Sequence, residues 1–228
     1  MTTFTIRSLA LGAVAAVALA GTALAQTGTP ILNSLEVRKL VAAAEPGDNA
    51  KLSAHFGALA DQYAAEATRH TQMAQSYVGN PNHNAAAGMS AHCKRLAELN
   101  TESATTLRDL AEHHQKLAAG APSTAPRAGA RFEGGAGAPE PTKKDLAAMA
   151  ASAATPADHR GLAEYFTTLS ARYTATANEH AALAQAYRGT KIAQAAASAD
   201  RLSALARDSA KEATAAAQMH TQLANVAR

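Results

Sequence analysis

Apolar and aromatic side chains recur at alternating steps of four and three along two long stretches of the chain. The first reads Leu52, Phe56, Leu59, Tyr63, Glu66, His70, Met73, Tyr77, and the second Met89, Cys93, Leu96, Asn100, Ser103, Leu107, Leu110, His114, Leu117. A repeat of 3.5 residues keeps one stripe facing a partner, so both stretches are predicted to be long helices packed along a seam. Pro46 suits a first helical position and Gly79 a helix end. The two helices therefore form an antiparallel hairpin, whose facing residues add up to about 164 when the turn is centred near residue 82.

The pattern then returns. Residues 46–79 align with 156–189 at an offset of 110, and 87–118 with 193–224 at an offset of 106, because the first copy has a turn four residues longer. Of 66 aligned positions 24 are identical, and 16 of those are not Ala, which chance matching of Ala-rich helices does not explain. The retained pairs include Phe56/Phe166, Tyr63/Tyr173, His70/His180, Tyr77/Tyr187 and His114/His220. Short helices are expected before each hairpin, capped by Ser34 and Thr142 and ending near Ala44 and Ala154. Thr155-Pro156-Ala157-Asp158 supplies a capping hydroxyl, a proline and an acid to start the second hairpin.

The expected fold is all-α. Duplicated long antiparallel helical hairpins form a four-helix bundle, running up-down-up-down, with a short extra helix before each hairpin packed over an end. The chain divides into a leader (1–25), a first helical repeat (26–118), a Gly/Pro/Ala-rich linker (119–141) and a second repeat (142–228). A homodimer that exchanges hairpins through the linker would bury the same seams.

The leader is an address. A short basic segment ending at Arg7, an apolar run from Leu9 to Leu19 and Ala23-Leu24-Ala25 form a secretory signal peptide, with cleavage expected after Ala25. The mature chain is expected in the periplasm or outside the cell, with no membrane span. Composition sharpens this. Ala fills 63 of 228 positions, so the 47% hydrophobic share overstates the core, and 4% aromatics with no Trp disfavour a β or Rossmann-type fold. A net charge of +3 is far from the dense field of a nucleic-acid binder. The single Cys excludes an internal disulfide.

Hydrophobic seams do not need His, so these positions carry the candidate chemistry. The hairpin register places His70 beside Cys93, and Met73 between Met89 and Cys93, with His92 adjacent. Imidazole, thioether and thiolate form a soft set suited to copper. An up-down-up-down bundle would bring His180 to the same end as His70, and His220, with His159 and Tyr165, to the end where His114 faces His55 and His113. That second group would suit zinc or Cu(II). Haem is disfavoured, because no CxxCH occurs and the aromatic lining is thin. A carboxylate di-iron site is also disfavoured, since Thr176 stands where the first copy has Glu66.

No phosphate loop or nucleophile triad can be assembled, so the chain reads as a non-enzymatic exported binding protein. Its best concrete ligand is a transition metal, copper or zinc, held by seam histidines. In the alternative it is a structural or interaction module with an envelope protein as partner, and its histidines set register in the core.

Overall fold

A computed structural model describes residues 31–80, 83–120 and 143–226. All secondary structure among them is helical: α1 (Ser34–Ala43), α2 (Pro46–Val78), α3 (His83–Ala119), α4 (Lys143–Ser152), α5 (Pro156–Arg188) and α6 (Ala195–Val226). The leader, Thr142 and most of the linker lie outside the described residues.

Local sequence explains the starts and stops. Asn33, not Ser34, caps α1: its side chain accepts from the Leu35 and Glu36 amides, and Glu36 reaches back to the Asn33 N–H. Its Asx geometry leaves Ser34 inside the first turn. Thr155 and Asp158 form the same reciprocal box at α5, and Pro follows the cap in both α2 and α5. At 1.5 Å per residue the long helices extend about 50 Å.

The long helices pack in pairs, α2 with α3 and α5 with α6, and the pairs join mainly through α3 and α6. Within the first pair Ser90 Oγ donates to Ala74 O at 3.0 Å, which sets the expected register. Within the second, Ser203 Oγ donates to Ala177 O at 2.8 Å. Between the pairs, His92 meets Glu212 and Arg201 lies 3.6 Å from Glu102, so α3 and α6 are antiparallel.

That direction overturns the up-down-up-down order. Asn100 meets Tyr173 and His114 meets Tyr187, so α5 runs parallel to α3 and the order is up-down-down-up. The turn between α2 and α3 therefore lies at one end (the first-turn end) and the turn between α5 and α6 at the other (the second-turn end). The short helices do not share an end either. α4 packs on α2 near the first turn, where Asn80 Nδ2 donates to the Ala150 and Ala153 carbonyls at 3.1 and 3.2 Å. α1 packs on α5 and α2 at the opposite end.

The core is a continuous stack of seam residues, including Leu52, Phe56, Leu96, Leu107, Leu162, Phe166 and Leu202. Ala60 of α2 and Ala199, Ala213 and Ala216 of α6 are buried among them.

Candidate functional site

The polar seam residues cluster into two bridges between the helix pairs, one at each end. At the second-turn end Asn49 Nδ2 donates to Glu45 O, which turns Oδ1 toward His114. Oδ1 lies 2.8 Å from His114 Nδ1, and a carbonyl oxygen can only accept, so Nδ1 carries the proton. Nε2 then accepts from Tyr187 O–H at 2.7 Å. Phe56 stacks on the imidazole at 5.5 Å.

The first-turn end repeats the plan with the partners exchanged. His220 Nε2 lies 2.8 Å from Tyr77 Oη, its Nδ1 lies 3.2 Å from His159 Nδ1, and Phe166 stacks on its ring at 5.8 Å. The residues that align in sequence thus take the same roles, His159 standing where the other end has Asn49. In each bridge the tyrosine comes from the other helix pair. A third bridge at mid-bundle joins Asn100 Nδ2 to Tyr173 Oη at 2.7 Å. It is not repeated, since Ala206 occupies the aligned position.

Antiparallel docking redistributes the expected clusters. Tyr187 and Asn49 share His114, so His180 lies level with residue 56, and His70 is about 20 Å further along the axis by helical rise. His70 and His180 therefore do not share a site, and neither do His114 and His220. His180 joins His55 at the second-turn end, where burial first and then the His55 imidazole disfavour its protonation. His159, Tyr165 and His220 join Cys93 at the first-turn end. The cause is pairing direction, which an apolar stripe does not encode.

Several ring nitrogens are already engaged. His55 Nδ1 accepts from the Leu32 N–H at 3.1 Å, anchoring the segment before α1. His92 Nδ1 is paired with Glu212. His70 differs: it is fully buried, and neither ring nitrogen has a hydrogen-bond partner. His180 Nε2 and His113 Nε2 are likewise unpartnered. Met73, Met89 and Cys93 are buried on the same seam as His70.

Burial governs the electrostatics. It lowers the pKa of His55, His114 and His180 to about 4 and of His70 and His220 to about 3, with Arg69 and Arg172 adding to the effect at His70. It pushes the Cys93 thiol up to about 12. Beside His70, Glu66 Oε1 lies 3.2 Å from Arg69 and 3.8 Å from Arg172, an ion network the aligned positions Thr176 and Glu179 do not reproduce.

Among the described residues no group of three or more His, Cys, Asp or Glu side chains is placed to hold a metal ion. No described helix is long and apolar enough to cross a membrane. A surface cleft of about 470 Å³ between α2 and α3 is lined by Ala, Thr and Gln with Arg108, a set in which no general base stands beside the threonine hydroxyls. Comparison with protein families, curated proteins and solved structures finds no match.

Proposed function

We propose that the chain is an exported, non-enzymatic interaction module, built from two copies of one helical hairpin, in which His114 and His220 hold the copies in register. The observation that carries this reading is that each of these imidazoles spends both nitrogens on protein partners, one of them a tyrosine of the other pair. A ring nitrogen so engaged must give up a buried bond before it can bind a metal, which costs about 1–3 kcal/mol for the partner left behind. Buried polar contacts are the means by which packed helices select one alignment. The rigid outer surface of the bundle then faces an envelope partner.

The address rests on the leader sequence alone, and export predicts a mature species beginning at Gln26. The register role is tested by titrating the full chain with Zn(II) and Cu(II) while following urea unfolding of wild type, His114→Leu and His220→Leu. The expected result is lower stability in both variants and unchanged metal uptake. Stoichiometric uptake lost in either variant would overturn the register role.

A further inference from the structure

The two ends of the bundle follow one plan but differ in their sulfur. Every Cys and Met of the described residues lies toward the first-turn end. Met73, Met89 and Cys93 are in the seam, Met219 packs at Gly88 and Met149 at Gly161. The positions aligned with Met73, Met89, Cys93 and Met219 hold Leu183, Ala195, Ala199 and His113, none with sulfur.

Three of these side chains share a level of the seam between α2 and α3 with one imidazole. The Ser90 to Ala74 hydrogen bond fixes the pairing of α2 with α3, so Met73 falls between the levels of Met89 and Cys93, with His70 one turn along the same stripe. His70, Met73 and Cys93 are wholly inaccessible, and Met89 is 1% exposed. Filling the core accounts for the bulk of Met and Cys, as Leu107 and Leu110 fill it further along α3. It does not account for a buried imidazole with both nitrogens unpartnered, since each such atom forfeits about 1–3 kcal/mol. A metal ion on the lone-pair nitrogen removes that cost at that atom.

From this juxtaposition we infer that the first-turn end binds one Cu(I) ion through His70 and Cys93, with the thioethers of Met73 and Met89 completing a soft donor set. Binding releases the Cys93 thiol proton to solvent. Sulfur and imidazole nitrogen each donate an electron pair to the ion, and no electron is transferred. Cu(I) with one thiolate is neutral, the charge state a dry core accepts most readily. Zn(II) with the same single thiolate would leave a buried positive charge beside Arg69 and Arg172, which share Glu66. His70 and Cys93 alone fall short of three His, Cys, Asp or Glu ligands, so thioethers are essential to the set.

The site goes beyond the register role and is independent of the two tyrosine bridges. Its test is anaerobic titration of the full chain with Cu(I) buffered by bicinchoninate, with urea unfolding of each apo variant in parallel. One equivalent is expected, bound at least ten-fold more weakly by Cys93→Ala and by Met73→Leu/Met89→Leu, which place near-isosteric or aligned residues in the core. His70→Leu should weaken copper to the same degree while leaving the apo chain as stable as wild type or more so, a combination that a merely structural histidine would not give. His114→Leu should lose stability and keep its copper affinity. Absence of uptake, retention of uptake when Cys93, Met73 and Met89 are all replaced, or preference for Zn(II) would overturn the site and leave the register role standing.

Discussion

Removing one oxygen atom at Tyr187 is the sharpest perturbation of the interface between the helix pairs. His114 is wholly buried, and its Nδ1–H is committed to Asn49, so only the Tyr187 hydroxyl satisfies Nε2. Tyr187→Phe keeps the ring contacts, loses that bond and strands a lone pair in the core. The bond is worth about 1 kcal/mol and the stranded acceptor about 1–3 more, so a loss of about 2–4 kcal/mol is expected. For a chain of this size that lowers Tm by about 4–16 °C. Urea unfolding followed by circular dichroism at pH 8, where the imidazoles are neutral in both states, measures it directly. His114→Leu also destabilises, but the double variant removes both partners and should cost less than the two single changes together by about 1–3 kcal/mol. A Tyr187→Phe chain within about 0.5 kcal/mol of wild type, with additive effects in the double variant, would refute the bridge as a source of alignment.

Acid should unfold the protein earlier than its carboxylates alone would. His55, His114 and His180 are lowered to about 4, and His70 and His220 to about 3, so between pH 6.5 and about 4 the unfolded chain takes up protons that the folded chain refuses. Stability is thus fully present above 6.5 and falls with pH, by about 1.4 kcal/mol per unit for each such histidine; a flat profile from pH 7 to 5 would contradict the buried neutral state. Asn80→Ala removes both side-chain bonds to the end of α4, and hydrogen exchange should accelerate across 143–152 with the long helices unchanged. Thr155→Ala breaks the capping box at α5 and is expected to cost about 1 kcal/mol, while Thr155→Ser should cost little.

Much of this fold was legible along the chain because burial in a helix is periodic. The 3.5-residue stripes identify α2, α3, α5 and α6, and Thr155 with Pro156 marks the start of α5 within a residue. The paired retention of Tyr77/Tyr187 and His114/His220 also marked the residues that form the two end bridges. Their partners were less visible. Asn49 and His159 align with each other but differ in kind, so neither stood out as the residue that completes its bridge.

An apolar stripe specifies which face a helix buries and leaves open which way its partner runs. The hairpin register followed from the short turn after Gly79, since a brief connection forces antiparallel neighbours. The docking of one pair on the other had no such constraint, because the 23-residue linker can reach either end of the bundle. Tertiary packing made that choice. With α3 against α6 and α5 parallel to α3, each tyrosine reaches the histidine of the other pair, His70 is separated from His180, and sulfur gathers at one end.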